Sequence, residues 1–286
     1  MLSNKVNEIM TRDLNTAPVS STILDVMELM VAKDVGAIII TEDRLPVGIF
    51  TEKDVQKRVM SDKLDPKKTG IKKVMTSPIR TVPEDTHIVD ALAKMYRSKF
   101  RHLLVREKKG KIVGIVSMRQ ILDLAVALGQ RLTDSKTVGD VMSKDPATIE
   151  DSQPIREAIE LMIKKDIGCI AVLDKGKLKG IFTERDVLMR VAVKGLDTRN
   201  TTVREVMTSN LVTLPHTALI GQVLEEMHKR HFRHMALLGQ QNQLVGIVSM
   251  RDVLKYAKAL DVDENVRNTW KEIEEFWESE EHYTPG

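Results

Sequence analysis

Hydrophobic residues along the chain switch between helical and extended spacing, and this alternation marks the first of four similar segments. Ile23, Val26 and Met30 recur every three or four positions, which places them on one face of a helix. Thr22 and Asp25 stand three residues apart at the start of this face, which is the spacing of a capping box. The pattern predicts a helix that begins after residue 22 and buries one apolar face.

Extended segments and a second helix follow in the same stretch. Residues 37–41 predict a buried strand, residues 42–46 a turn and residues 47–50 a second strand. A second helix is predicted from Thr51 to about Met60. With a short strand ahead of the first helix, the predicted order of elements is β-α-β-β-α.

The chain contains four copies of this unit. Each copy has an opening motif that ends in Met-Thr or Met-Ser and a closing motif that starts with Gly-Ile, and the closing glycines are 66 residues apart. Units 1 and 3 share Gly-Ile-Phe-Thr-Glu, whereas units 2 and 4 share Gly-Ile-Val-Ser-Met-Arg. Such recurrence is the signature of a repeat protein, and the two types indicate a duplicated pair of unequal units. The openings begin at Val6, Ile71, Val138 and Val203, and the glycines are Gly48, Gly114, Gly180 and Gly246.

The element order and both motifs resemble those of the CBS domain over residues 6–260. The resemblance implies an α/β (α+β) fold of four β-α-β-β-α units, paired into two Bateman modules that each enclose a cleft. Pairing is also expected physically, because a unit of about 60 residues has a thin core. Known family members bind adenine nucleotides or S-adenosyl compounds in these clefts and usually regulate another molecule. The predicted units are 6–60 and 71–128 in module 1 (residues 1–133), and 138–194 and 203–260 in module 2 (residues 134–260).

A hydroxyl and an acid three residues apart mark the strand-to-helix junctions. On spacing alone, such a pair is more often a helix cap than a ligand site. The resemblance implies a second, compatible role, in which the carboxylate accepts hydrogen bonds from a ribose diol. Gln120 replaces the acid in unit 2, and a neutral amide is a poorer acceptor, so the ribose site of unit 2 is the least secure. The candidate ribose residues are Thr51, Asp54, Ser117, Thr183, Asp186, Ser249 and Asp252.

Basic residues stand where units 2 and 4 pass from helix to strand. Arg101–His102 and Arg233–His234 occupy this junction, which the resemblance places beside the cleft, and a guanidinium suits phosphate. Units 1 and 3 have Gly36 and Gly168 there, which would leave room for larger side chains. The alternative is a pair of exposed basic residues at a helix C-terminus. Further phosphate candidates are Arg185 and Arg251, and the implied adenine segment includes Thr16, Arg80, Thr81, Thr148 and Thr213.

The charge of the chain is uneven. Its net charge is +3, but residues 261–286 hold nine acidic and two basic residues, so residues 1–260 carry +10. A positive body favours anionic partners. Two classes of function therefore stay open. One is a regulatory protein that senses AMP, ADP, ATP or an S-adenosyl compound for a regulated partner. The other is a nucleic-acid- or ribosome-associated protein with a nucleotide as effector.

Catalysis and metal binding have little support in the sequence. It holds no glycine-rich phosphate loop, nucleophile elbow or metalloprotease helix. A single cysteine, Cys169, excludes an intramolecular disulfide and a cysteine cluster. His228, His231 and His234 are evenly spaced, but no carboxylate or cysteine set completes a metal site. We therefore expect no enzyme and no required cofactor, with an adenine nucleotide as ligand.

Residues 261–286 lie outside the repeats. Trp270, Ile273 and Trp277 share one face of a predicted acidic helix. Because a short isolated helix is marginal in water, this face should be buried, on its own chain or in a homodimer rather than on a partner protein. No apolar run approaches the roughly 20 residues of a membrane span, and the N-terminus lacks a signal-peptide pattern, so we expect a cytoplasmic protein.

Overall fold

The computed structural model describes residues 4–61, 64–127 and 137–254. The predicted acidic tail and the predicted module boundary at residues 133 and 134 lie outside these residues, so both stay predictions. The described residues form four three-stranded sheets, one from each repeat. In every sheet the first strand runs parallel to the second, and the second runs antiparallel to the third. The predicted order β-α-β-β-α is confirmed.

In units 1 and 3 the second helix continues as a π helix, whereas in unit 2 it is α-helical as far as Ala127. Unit 1 comprises β1 (Thr16–Pro18), α1 (Ile23–Ala32), β2 (Ala37–Glu42), β3 (Leu45–Thr51) and α2 (Glu52–Asp54), followed by the π helix Val55–Met60. Unit 2 comprises β4 (Thr81–Pro83), α3 (Ile88–Arg97), β5 (His102–Arg106), β6 (Ile112–Ser117) and α4 (Met118–Ala127). Unit 3 comprises β7 (Thr148–Glu150), α5 (Ile155–Lys164), β8 (Cys169–Asp174), β9 (Lys177–Thr183) and α6 (Glu184–Asp186), followed by the π helix Val187–Ala192. Unit 4 comprises α7 (Val203–Val206), β10 (Thr213–Pro215), α8 (Ile220–Arg230), β11 (His234–Leu238), β12 (Leu244–Ser249) and α9 (Met250–Leu254).

Local signals position the first helix and the hairpin that follows it. Thr22 Oγ1 accepts a hydrogen bond from the backbone N–H of Asp25 at 3.2 Å, and the Asp25 carboxylate accepts from the N–H of Thr22 at 2.8 Å, which confirms the capping box. The predicted turn over residues 42–46 is too long. Asp43 and Arg44 alone make it, with φ values of 49° and 66°. Two left-handed residues match the twist of the flanking strands and let β2 and β3 pair to their ends.

Exchanged opening motifs join the units of a module. The opening ahead of unit 1 pairs with unit 2, and the opening of unit 2 pairs back onto unit 1. Units 3 and 4 exchange their openings in the same way. Each opening thus adds backbone hydrogen bonds to the sheet of its neighbour, which builds the expected Bateman-like pairs. The bridges are Thr11–Ile115, Thr76–Ile49, Ser143–Ile247 and Thr208–Ile181.

Helices of like units join the two modules. One hydrophobic core contains Met27 and Phe50 of unit 1 together with Phe182 of unit 3. A second core contains Tyr96 of unit 2 and Leu224 of unit 4. Unit 1 therefore packs against unit 3 and unit 2 against unit 4, so that the strand-to-helix junctions of all four units approach the centre of the molecule.

The closing glycine of each unit packs under the methionine of the exchanged opening. A Cβ added at Gly246 would meet the sulfur of Met142 and would lie 2.8 Å from the carbonyl oxygen of Ser143. At Gly48 the nearest atoms all belong to the side chain of Met75. This contact explains why the Met-Thr and Gly-Ile motifs recur together in the sequence.

Replacement of these glycines tests the packing of the openings. Gly246→Ala should lower the free energy of unfolding by about 1–3 kcal/mol, the usual cost of overpacking. Gly48→Ala should cost less, because its methyl group meets only a flexible side chain. Chemical denaturation measures both, with Gly70→Ala as the control, since nothing lies within 4 Å of its added Cβ. Equal losses at positions 48 and 246 would contradict this account.

Candidate functional site

A cavity of about 620 Å³ lies where the four units meet, a volume typical of small-molecule sites. Its walls come from the helix-to-strand junctions and closing motifs of all four units, and from the ends of the openings of units 1 and 3. The six side chains that the sequence proposes for phosphate all line it. They are Arg101, His102, Arg185, Arg233, His234 and Arg251.

Two ion pairs with buried carboxylates join the modules beside this cavity. Arg233 binds Glu52 through both terminal nitrogens, at 2.8 and 3.1 Å, and Arg101 Nη2 lies 2.5 Å from Glu184 Oε2. The pairs connect unit 4 to unit 1 and unit 2 to unit 3. Glu52 is 2% exposed and Glu184 is 5% exposed, so loss of either arginine would leave a buried charge uncompensated.

Small residues at the junctions of units 1 and 3 make room for these pairs, as the sequence predicts. A Cβ added at Gly36 would lie 3.1 Å from Arg233 Nη2, and one added at Gly168 would lie 3.2 Å from the carboxylate carbon of Glu184. Larger side chains at either position would press on the ion pairs. The glycines and arginines of opposite modules are therefore complementary.

The electrostatics of the cavity are dominated by its arginines. Burial alone would raise the pKa of Glu52, but the charges of Arg233 and Arg101 hold it below its usual value. Burial opposes the charge of Arg101, yet Glu184 and Glu52 raise its pKa. Burial and the charge of Arg233 lower the pKa of Arg119, which also lines the cavity. The neighbouring arginines therefore add to the effect of burial at Arg119.

The two junction histidines are neutral in this environment. Burial, assisted by the charges of Arg101 and Arg233, lowers the pKa of His102 to about 3 and that of His234 to about 4. Each side chain can therefore donate or accept a hydrogen bond near pH 7 but adds no positive charge. The two arginines supply the charge at these junctions.

The remaining basic side chains of the cavity also have partners. Arg185 forms an ion pair with Asp34, and Lys53 Nζ lies 3.0 Å from Asp166 Oδ1, so two equivalent pairs join units 1 and 3. The guanidinium of Arg251 lies 5.7 Å from the centre of the Tyr96 ring. These contacts hold the side chains at the cavity wall.

The hydroxyl and the acid or amide cap the second helix in all four units, as the spacing indicates. In unit 1, Thr51 Oγ1 donates to Asp54 Oδ2 at 2.7 Å, and the Thr51 N–H donates to the same oxygen at 2.9 Å. Capping accounts for one carboxylate oxygen of each aspartate. The equivalent pairs are Ser117 with Gln120, Thr183 with Asp186, and Ser249 with Asp252.

The ribose candidates fall into two environments. Asp54 and Asp186 are 7% and 6% exposed, and burial raises the pKa of both carboxyl groups. Thr51 and Asp54 line a separate cavity of about 260 Å³, whereas Thr183 and Asp186 line neither cavity. The corresponding side chains of units 2 and 4 are half-buried and line the large cavity. These are Ser117, Gln120, Ser249 and Asp252.

The departure at Gln120 has a structural reason. Its amide nitrogen donates to the carbonyl oxygen of Ile9 and to Thr11 Oγ1, both at 2.9 Å, and its amide oxygen accepts from Ser117 at 2.7 and 2.9 Å. A carboxylate could not donate to Ile9. The amide thus fixes the exchanged opening on unit 2, and the doubt about its ribose role stands.

The residues of the predicted adenine segment line neither cavity. Thr16 and Thr148 begin the first strands of their units and are exposed. The candidates Thr81, Thr213 and Arg80 likewise line neither cavity, and Arg80 stacks over a phenylalanine ring. The residues that sequence reasoning missed come from the end of the opening, where the recurring Met-Thr or Met-Ser was the available signal. They are Thr11, Asp13, Asn15, Ser143, Pro146 and Ala147.

The described residues hold neither a clustered metal site nor a helix that could span a membrane. In that part of the chain, no group of three or more histidine, cysteine, aspartate or glutamate side chains could hold a metal ion. His228 instead contacts Asp123 at 2.8 Å. Across residues 4–61, 64–127 and 137–254, no helix is long and apolar enough to cross a membrane.

Comparison with known proteins identifies the class to which this fold and cavity belong. The chain is a member of the CBS domain family, which matches residues 6–61, 71–127, 138–193 and 203–259. It is similar to the CBS domain-containing protein CBSCBSPB1 of Arabidopsis thaliana, with 26% identity over 314 residues. That alignment covers 95% of this chain and 57% of the plant protein, so the chain spans little more than half the length of this relative.

Two further proteins resemble the chain. The "Uncharacterized 33.4 kDa protein in ribosomal RNA operon" of Thermofilum pendens is 31% identical over 201 residues, which is 65% of each chain. The crystal structure of MJ1225 from Methanocaldococcus jannaschii, described as a candidate archaeal homologue of γ-AMPK, covers 88% of this chain and 99% of its own. Its TM-score is 0.75 at 16% identity, which shows that the four-unit fold is shared.

Acidification should destabilise the protein through its two junction histidines. Folding lowers the pKa of His102 from 6.5 to about 3 and that of His234 to about 4. Between pH 6.5 and these values the unfolded chain binds more protons, so stability falls as the pH falls through this window. The double variant His102→Gln and His234→Gln should flatten this slope in thermal melts from about pH 7.5 to about pH 5. Exposed His87→Gln is the control, and an unchanged slope in the double variant would refute the assignment.

Proposed function

We propose that this protein is a regulatory sensor that binds adenine nucleotides in the clefts of its CBS units. The observation that carries the proposal is the convergence of the six phosphate candidates and the ribose candidates of unit 4 on one cavity. Membership of the CBS family supports the ligand class, because known members bind adenosine compounds between paired units. We expect no catalytic step and no required cofactor.

Unit 4 offers the chemistry that a nucleotide needs. Asp252 and Ser249 would accept and donate hydrogen bonds at the ribose hydroxyls, since a carboxylate accepts two of them well. Ala147 and Pro146 offer an apolar wall for the adenine ring on the exchanged opening. Arg233 lies on the wall of the same cavity and would face the phosphates, for which its planar guanidinium is suited.

Exchange of counter-ions would transmit the binding event. A nucleotide phosphate would compete with Glu52 for Arg233 and with Glu184 for Arg101. Because these ion pairs join opposite modules, a ligand that replaces them changes the packing of one module on the other. A partner that contacts both modules would then sense the ligand through its different affinity for the two arrangements.

The nucleic-acid or ribosome alternative rests on the +10 charge of residues 1–260. Five arginines of this region line the central cavity, where a small anion can reach them more easily than a polymer can. This distribution favours the nucleotide sensor. Salt-sensitive retention of RNA by the purified protein would favour the alternative, and the regulated partner, the cytoplasmic location and a homodimer stay predictions.

Asp252→Asn should weaken the binding of adenosine, AMP and ATP to a similar extent, because all three ligands present the same ribose. We expect a loss of about 10- to 100-fold, the size of a hydrogen bond to a charged group. Calorimetric titration of the nucleotide-free protein measures it. Asp25→Asn is the matched control, since Asp25 occupies the same position in an exposed capping box of unit 1 away from the cavity. If the variant keeps its affinity for the three ligands but melts at a lower temperature, Asp252 caps the helix and does not bind the ribose.

The counter-ion exchange predicts opposite effects for the two members of an ion pair. Glu52→Gln should raise the affinity for AMP and ATP several-fold, because it frees the charge of Arg233. The affinity for adenosine, which has no phosphate, should stay unchanged. Arg233→Met should weaken the binding of ATP more than the binding of adenosine. The same titrations measure both variants, and equal changes for all three ligands would mean that the pair only shapes the cavity.

A further inference from the structure

The clefts of units 1 and 3 hold an arginine that the function proposed above does not use. Arg58 and Arg190 follow the ribose candidates Asp54 and Asp186 by four residues. Their side chains are 42% and 41% exposed, and each contacts both its aspartate and the exchanged opening. They therefore occupy the junction at which a bound ribose and base would meet the protein.

In unit 1 this arginine fastens the opening to the aspartate. Arg58 Nη1 donates to the carbonyl oxygens of Val74 and Met75, at 2.8 Å each, and lies 3.5 Å from Asp54 Oδ1. Thr76 Oγ1, from the same opening, donates to Asp54 Oδ1 at 3.2 Å. With Oδ2 taken by the helix cap, both oxygens of Asp54 already have partners in the protein.

Unit 3 repeats the arrangement. Arg190 Nη1 donates to the carbonyl oxygens of Val206 and Met207 at 2.9 and 2.6 Å, and lies 3.3 Å from Asp186 Oδ1. Thr208 Oγ1 donates to the same oxygen at 3.1 Å. The same types of residue therefore hold the arginine in both units, so the arrangement is a shared feature of units 1 and 3.

The backbone of units 1 and 3 carries a second sign of the same feature. Both arginines lie in π helices, Val55–Met60 and Val187–Ala192, whereas α4 of unit 2 is α-helical over its whole described length. Short π turns are uncommon and occur mostly at functional sites. At the matching position unit 2 has Leu124 and unit 4 has Tyr256, which lies outside the described residues.

We propose that Arg58 and Arg190 close the clefts of units 1 and 3 to adenosine ligands and confine binding to units 2 and 4. Asp54 lines the smaller cavity, but a ribose diol could hydrogen-bond to Asp54 or Asp186 only by displacing a threonine and an arginine from a carboxylate that is less than a tenth exposed. The carboxylate of Asp252 is half-buried and lines the large cavity. The inference rests on the proposed function, and it predicts at most two ligands per chain.

Substitution by the residue that unit 2 carries tests the closure. Arg58→Leu and Arg190→Leu, singly and together in the full chain, are titrated with AMP by calorimetry beside the wild type. The wild type should bind at most two AMP, each single variant one more and the double variant two more. The matched control is Arg156→Leu, whose arginine is 41% exposed and forms an i,i+4 ion pair with Glu160 outside both cavities.

Several outcomes would overturn the closure. Three or four AMP bound per wild-type chain would do so without any variant, and so would an unchanged count in a folded double variant. A lost site in Arg58→Leu would make the arginine a ligand donor instead. If leucine destabilises the fold, Arg58→Gln, whose amide can serve the opening as Gln120 serves Ile9, should also add a site.

The same titrations separate failure of the closure from failure of the proposed function. Binding by the leucine variants alone would support the closure and overturn the large cavity as the nucleotide site. More than two AMP on the wild type would support nucleotide binding and overturn the closure. No binding to the wild type or to the double variant would overturn both.

Discussion

The two buried ion pairs between modules are the constraint on which the rest of the site depends. A carboxylate that is 2% exposed is stable in its charged form only beside a partner, so Glu52 fixes Arg233, and Glu184 fixes Arg101 in the same way. Because each pair joins unlike units of the two modules, it also fixes how the modules face each other. The arginines held in this way line the central cavity and add to the effect of burial that lowers the pKa of its histidines.

The repeat pattern was enough to predict the fold, because the same signals of local structure occur in each of the four units. Helix faces, capping pairs and buried strands depend on spacings of a few residues, and each recurs in register. The hairpin of unit 1 shows the limit of such reasoning. The residues of its turn did not reveal that both Asp43 and Arg44 would adopt left-handed conformations, so the turn was predicted three residues too long.

The site was harder to predict, because its contacts join residues that are far apart in the sequence. Arg101 was proposed for phosphate, but its glutamate lies 83 residues away, and the glutamate of Arg233 lies 181 residues away. Periodicity carries no information at that range. The available signal was the alternation between unit types: where units 1 and 3 have glycine and glutamate, units 2 and 4 have arginine and methionine. Complementary substitutions of this kind indicate contact between unlike units.

Because the glutamates are buried, the binding of a nucleotide would be coupled to the protonation of their carboxylates. If a phosphate draws Arg233 from Glu52, the carboxylate loses the largest of the charges that lower its pKa, while its burial continues to raise it. The pKa of Glu52 then rises, which favours uptake of a proton or a movement of the start of α2 that lets water reach the carboxylate. Either response acts on unit 1, although the proposed ribose site lies in unit 4. Two modules held by reciprocal ion pairs therefore provide a physical route by which one cleft affects the opposite module, and by linkage the opposite module affects that cleft equally.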